Sequence, residues 1–156
     1  MKKIIILTPV YNDWSSLEKL IFETNNIIKK FDNFSFELLV INDASTISKP
    51  KFKKPKNFQS LKILNMKKNS GHARCNAFGI RYIEQNEKFD YIILMDGDGE
   101  DRPEEISNLI EEIKKNSEIS VVARRIKRSE GLFFQLLYSL HKLLTFLFTG
   151  KKINFG

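Results

Sequence analysis

Tyr91-Ile92-Ile93-Leu94-Met95-Asp96-Gly97-Asp98-Gly99-Glu100-Asp101 joins an apolar run to a cluster of acids spaced by glycine. The apolar half is short and continuous, the pattern of a strand covered on both faces. The acidic half then falls at the carboxyl end of that strand, where open α/β sheets bind their ligands. Charge of one sign concentrated there is unfavourable until something cationic neutralises it, and a hard divalent ion holding a diphosphate would do so. Gly97 and Gly99 give the backbone the freedom to bend so that neighbouring carboxylates converge.

Working outward, residues 4–7, 36–41 and 61–64 read as earlier strands, 91–95 as a fourth and 119–122 as a fifth. Helical spacing separates them. Ser15 and Glu18 form a capping-box pattern ahead of Leu17, Leu20, Ile21, Thr24 and Ile28. Ala73, Ala77 and Ile80 mark one face of a second helix. Asp101 and Glu104, with Pro103 in the first turn, predict the start of a third, whose stripe is Ile106, Leu109, Ile110 and Ile113. Strands alternating with helices predict an α/β fold with a mostly parallel sheet and helices on both faces.

The chain has 156 residues, enough for one sizeable core. Its formal charge of +7 favours anionic partners without choosing among them. Cys75 is the single cysteine, so no internal disulfide can form and a reducing compartment is the simpler expectation. No apolar run reaches the ~18–20 residues of a membrane span. The basic stretch Lys49-Pro50-Lys51-Phe52-Lys53-Lys54-Pro55-Lys56 reads as a solvated connecting loop rather than a nucleic-acid site, since its prolines oppose strand and helix.

Polar residues recur after each strand. Thr8 to Asp13 follow the first, Asn42-Asp43-Ala44-Ser45 the second, Asn69-Ser70-Gly71-His72-Ala73-Arg74 the third, and Arg124-Arg125-Ile126-Lys127-Arg128 the fifth. Acids, amides, an aromatic and arginines would thus line one sheet edge, as a base, a ribose, a diphosphate and a metal require. No Gly-x-Gly-x-x-Gly follows the first strand and no P-loop occurs, which argues against a dinucleotide oxidoreductase and a P-loop nucleotidase. His72 and Cys75 lack the partners of a zinc site or nucleophile–base pair. The ordinary reading makes His72 a hydrogen-bonded loop residue and Cys75 part of helix packing.

In these segments the chain resembles family 2 glycosyltransferases of the GT-A fold, especially the branch with dolichol-phosphate mannose synthase and bacterial polyprenyl-phosphate glycosyltransferases. The resemblance implies a Rossmann-like nucleotide-diphospho-sugar transferase sandwich. It further implies that Pro9, Tyr11, Asp13 and Asp43 hold the base and ribose, and that Asn69, Gly71, Arg74 and Gly97 belong to the nucleotide-sugar site. Asp96 and Asp98, with Glu100 nearby, would hold Mg²⁺ or Mn²⁺ on the diphosphate. Arg125 and Arg128 would meet that diphosphate, with Asp98 and Arg125 as the catalytic pair. Two departures stand out, Ala123 at a usual glycine and Asp13 at a usual glutamate.

The implied reaction is inverting transfer of a sugar from a nucleoside diphosphate, UDP-linked rather than GDP-linked by analogy. The acceptor would be a polyprenyl-phosphate-type lipid, in cell-envelope glycan synthesis. A hydroxyl acceptor would need a base, for which Asp101 is the available carboxylate. Residues 132–148 are rich in leucine and phenylalanine, with a narrow polar stripe of Gln135, Ser139, Lys142 and Thr145. They form an amphipathic helix that packs on the sheet, on a second copy, or on a membrane surface; the membrane reading is favoured, placing the protein in the cytoplasm, peripheral at the cytosolic membrane face.

The expected organisation is a nucleotide-sugar-binding domain over 1–131, the apolar helix over 132–150, and over 151–156 the start of an acceptor-side region that relatives continue. A homo-oligomer or a separate acceptor-side subunit would then complete the site. The competing expectation is a truncated, non-catalytic nucleotide-sugar-binding or membrane-associating module. A nucleotidyltransferase would carry a glycine-rich basic loop after the first strand, which Thr8 to Asp13 is not.

Overall fold

β1 (Lys2–Val10) is the spine of a parallel sheet, because both of its faces and both of its edges are occupied. Ile4, Ile5, Ile6 and Leu7 are each almost wholly buried, as a run without polar alternation requires. On one edge β1 pairs with β2 (Phe34–Asn42) from Lys2↔Phe34 to Val10↔Asn42. On the other it pairs with β4 (Tyr91–Leu94) from Ile4↔Tyr91 to Leu7↔Leu94. β3 (Phe58–Asn65) lies outside β2, giving the order β3-β2-β1-β4. The computed structural model describes residues 1–116, 118, 120–121 and 132–150. They fall in two compact units, 1–121 and 122–156.

Alternate residues of β1 serve different helices. Ile4, Ile6 and Val10 join a core with α1 (Trp14–Ile28) and α3 (Glu105–Lys115). Ile5 and Leu7 face α2 (His72–Asn86), packing with Leu39, Ile41, Cys75 and Ile83. α1 buries Leu17, Leu20, Ile21, Thr24 and Ile28, the stripe expected from spacing. Burial of each such leucine or isoleucine contributes about 1.5–3 kcal/mol, more than helix propensity differences of a few tenths. Tertiary packing therefore holds these helices.

The structure corrects three readings. α2 buries Cys75, Gly79 and Ile83, while Ala73, Ala77 and Ile80 are exposed. The cause is Gly79: a Cβ there would stand 2.4 Å from Leu7 Cδ1, so the helix approaches β1 through its glycine face. α1 is capped by Asp13, whose Oδ1 accepts from the Ser16 N–H at 3.1 Å, and not by Ser15. α3 begins at Glu105 without a side-chain cap, because the Asp101 carboxylate is engaged elsewhere. Of the expected fifth strand, Ile119 and Val122 lie outside the described residues, and Ser120 and Val121 carry no regular structure.

The link from β2 to β3 is a strap without helix, residues 43–57. In the second unit, α4 (Leu132–Thr149) exposes Leu137, Leu140, Leu143, Leu144, Phe146, Leu147 and Phe148. No helix among the described residues is long and apolar enough to cross a membrane.

Candidate functional site

The order of strands reverses at β1, so the loops after β1 and β4 part and leave a crevice at the carboxyl edge. A cavity of about 150 Å³ occupies it. Pro9, Val10, Tyr11 and Asp13 line it from β1 and its loop, Asp43 from β2, His72 from α2, and Asp96, Gly97 and Asp98 from β4. Four of the predicted segments thus meet around one cavity. Tyr11 is 47% exposed at the mouth, with its ring free to cover a flat ligand.

Each side is held by specific bonds. Asp43 is 4% exposed and accepts from the Ser70 N–H at 2.7 Å and the Gly71 N–H at 2.8 Å. Gly71 has φ +86°, which suits glycine, and α2 starts immediately after it. Asn12, at φ 61°, ties the first loop to the second. Its Oδ1 accepts from the N–H groups of Thr46 at 2.7 Å and Ile47 at 3.0 Å, and its own N–H donates to Ser45 Oγ at 2.9 Å. Asparagine tolerates this left-handed backbone better than most residues.

The acidic loop is closed by its own carboxylates. Asp101 Oδ2 accepts from the Asp96 N–H at 2.8 Å, and Asp98 Oδ1 accepts from the Glu100 N–H at 2.9 Å. Gly99 has φ +86° and turns the chain. Gly97 serves differently from the bend expected of it: a Cβ there would lie 2.6 Å from the Pro9 carbonyl oxygen, so glycine permits β4's end to press against β1's. Asp96 and Asp98 both line the cavity. Asp98 also borders a second cavity of about 280 Å³ between α1 and this loop.

The electrostatics of the wall are unbalanced. Burial pushes the Asp96 carboxyl above the usual carboxylate range, the His72 ring opposes that shift, and the charges of Asp101, Asp98 and Glu100 add to it. His72 Nε2 stands 3.4 Å from Asp96 Oδ1 and 2.9 Å from Asn76 Nδ2. Against four carboxylates it is the one potentially cationic side chain lining the cavity among the described residues. The ordinary hydrogen bond expected of His72 exists, to Asn76, but its place in the wall was not foreseen. Cys75 is fully buried in helix packing, and burial with the Asp43 carboxylate pushes its thiol up to about 12. It is an inert thiol at neutral pH.

A divalent cation suits this donor set. Mg²⁺ is held by one or two carboxylates together with substrate phosphates and water, and Asp96 and Asp98 bring two to this cavity, the first with its charged form disfavoured by burial and by neighbouring acids. No group of three or more acids, histidines or cysteines is gathered for a metal among the described residues, and Glu100 lines neither cavity. Asn69 and Arg74 are exposed and stand outside the wall. Arg125 and Arg128 lie outside the described residues.

A doubly covered parallel sheet with this acid-lined crevice defines an α/β nucleotide-diphospho-sugar transferase fold of the GT-A type. The chain belongs to glycosyl transferase family 2, whose family model matches residues 5–155. It is 31% identical over 135 residues to the glycosyltransferase YkcC of Bacillus subtilis (strain 168), covering 83% of this chain and 39% of that protein. It is 28% identical over 158 residues to an undecaprenyl-phosphate 4-deoxy-4-formamido-L-arabinose transferase of Salmonella choleraesuis (strain SC-B67), covering 99% and 46%. The chain thus spans less than half the length of either relative. Among solved structures, S. aureus TarS 1–349 shares its fold at TM-score 0.50 and 23% identity, over 83% of this chain and 39% of that one.

Proposed function

We propose that this chain binds a nucleoside-diphosphate sugar in the β1/β4 crevice and serves inverting transfer of the sugar to a polyprenyl-phosphate-type lipid. The observation that carries this reading is that Asp96 and Asp98 line one cavity together with Asp43, which organises the loop at residues 70–71. Likeness to a protein named as an undecaprenyl-phosphate sugar transferase supports the acceptor class.

In this reading Pro9 and Tyr11 cover the base, while Asp13 and Asp43 face base and ribose. Asp13 and Asp43 keep acceptor capacity beyond their backbone bonds, since each carboxylate oxygen carries two lone pairs. Asp96 and Asp98 hold Mg²⁺ or Mn²⁺, which when bound supplies charge neutralisation at the departing diphosphate. Arg125 and Arg128 contribute positive charge to the same group. An acceptor phosphate oxygen attacks the anomeric carbon from the face opposite the donor's bond. That carbon–oxygen bond breaks, the nucleoside diphosphate leaves with the electron pair, and configuration inverts. A lipid phosphate is already ionised near neutral pH, so this step requires no general base.

UDP is the favoured nucleotide. The exposed leucines and phenylalanines of α4 suit a membrane surface at the cytosolic face, close to a lipid acceptor. The acceptor side would come from chain beyond this portion of its relatives' length, from a second copy, or from a separate subunit.

Calorimetry with UDP- and GDP-sugars, with and without Mn²⁺, tests the donor. Binding of a UDP-sugar that strengthens with Mn²⁺ is expected, and no binding under any of these conditions overturns the reading. Transfer of labelled sugar to undecaprenyl phosphate tests the reaction; binding without transfer would identify a binding module instead.

A further inference from the structure

After Asp43, the strap between β2 and β3 carries charge of one sign only. Residues 44–57 carry Lys49, Lys51, Lys53, Lys54 and Lys56 and no acid. Parallel neighbours need a crossover, normally a helix, but Pro50 and Pro55 exclude one and the strap is held in place by side chains instead. Asn12 Oδ1 grips its start at Thr46 and Ile47, and Trp14 Nε1 donates to the Ile47 carbonyl at 3.0 Å. Midway, the Phe52 ring packs on Trp14 with centroids 6.0 Å apart. At its end, the Asn57 N–H donates to Asn25 Oδ1 at 3.0 Å, and Asn57 Nδ2 donates to the Asn25 carbonyl at 2.8 Å.

Of the five lysines, only Lys54 is committed, donating to the Phe58 carbonyl at 2.7 Å. Lys49, Lys51, Lys53 and Lys56 are exposed and make no ion pair or hydrogen bond among the described residues. Beside them Ile47 is 57% exposed. A fixed ribbon of unpaired lysines with an apolar residue at one end, bonded to the loop that carries Tyr11 and Asp13, matches an anionic bilayer in charge and in polarity. Nucleic acid fits less well, because the strap's one aromatic ring is turned inward on Trp14 and offers no stacking face. We propose that the strap is an electrostatic docking surface for anionic lipid headgroups, which brings the mouth of the crevice to the membrane. It stands independently of α4 and of the sugar-transfer reading.

The test is co-sedimentation of the full chain with vesicles of phosphatidylcholine alone or mixed with phosphatidylglycerol. The strap variant carries Lys49→Gln, Lys51→Gln, Lys53→Gln and Lys56→Gln. A charge-matched control carries Lys29→Gln, Lys30→Gln, Arg81→Gln and Lys88→Gln, all exposed elsewhere. Thermal melts confirm that both remain folded. The strap variant is expected to lose more than about tenfold of its partitioning onto phosphatidylglycerol vesicles, the control much less, and about 0.5 M salt to remove most of the difference. Equal losses in the two variants, no loss in the strap variant, or equal wild-type binding to both vesicle types would overturn the proposal. So would binding of a single-stranded oligonucleotide tighter than binding of the vesicles. Nucleotide binding measured on the same samples reports separately on the sugar-transfer reading.

Discussion

The Gly71 N–H points at Asp43 Oδ2 from 2.8 Å, so a carboxylate at the end of β2 fixes the loop from which α2 departs. With the Ser70 N–H on the other oxygen, Asp43 is a structural acceptor before it meets any ligand.

Asp43→Ala strands two backbone donors beside a buried position. Hydrogen bonds to charged groups are worth about 1.5–3 kcal/mol each, and relaxation recovers part of the sum. A loss of roughly 2–4 kcal/mol in urea unfolding is expected, with Asp43→Asn in between because its amide keeps one acceptor oxygen. An alanine variant as stable as wild type would show that the loop holds itself.

Gly97→Ala and Gly99→Ala separate crowding from backbone strain. At 97 a methyl meets the Pro9 carbonyl at 2.6 Å, and overpacking against backbone costs about 1–3 kcal/mol. At 99 nothing lies within 4 Å, and the φ of +86° alone costs about 1–2 kcal/mol. Both variants lose stability, but Gly97→Ala should weaken nucleotide binding several-fold more, because it parts the walls of the crevice. Equal affinities in isothermal titration would contradict this.

Asp13 titrates in the direction set by its cap. Hydrogen bonds from Ser16 hold its carboxyl below the usual range. A depressed acid contributes stability above its unfolded pKa of ~3.9 and loses it as pH falls through the lower folded value. Asp13→Ala should therefore cost about 1 kcal/mol at pH 7, the worth of an N-cap. The gap from wild type should narrow in melts as pH falls below the unfolded pKa of ~3.9.

Asp96 runs the other way. Its folded carboxyl is raised, chiefly by burial, so its contribution is favourable below the unfolded pKa and is lost as pH rises through the folded one. In metal-free buffer, Asp96→Asn is expected to melt slightly higher than wild type at pH 7 and no higher at pH 4. The same substitution should abolish the Mn²⁺-dependent part of nucleotide affinity, a trade of function for stability. A destabilised Asp96→Asn at pH 7 would refute the electrostatic picture of the wall.

The core strands were legible because 4–7, 38–41 and 91–95 are apolar without interruption, and 17, 20, 21, 24 and 28 repeat at helical spacing. Ser15 looked like the cap of α1 from its spacing to Glu18, yet Asp13 takes that place through its bond from the Ser16 N–H. Asp101 looked like a cap from spacing, yet its carboxylate is spent on Asp96 five residues back. The face of α2 was misread because a buried glycine carries no hydrophobic signal. His72 was read as an ordinary loop residue for another reason: its partner Asp96 lies on a different element, and no local pattern encodes that distance. Asn12 did offer a sign, a polar residue able to turn left-handed directly after a buried strand.

The two walls of the crevice differ in their footing. β1 and β2 hold each other over nine residues apiece, whereas β4 meets β1 along four and then releases the acids into a loop tied by single hydrogen bonds. One bank is bedrock and the other is compliant. Burial and the neighbouring acids disfavour charge on Asp96, so whatever neutralises Asp96 and Asp98 also steadies the loop from which they project.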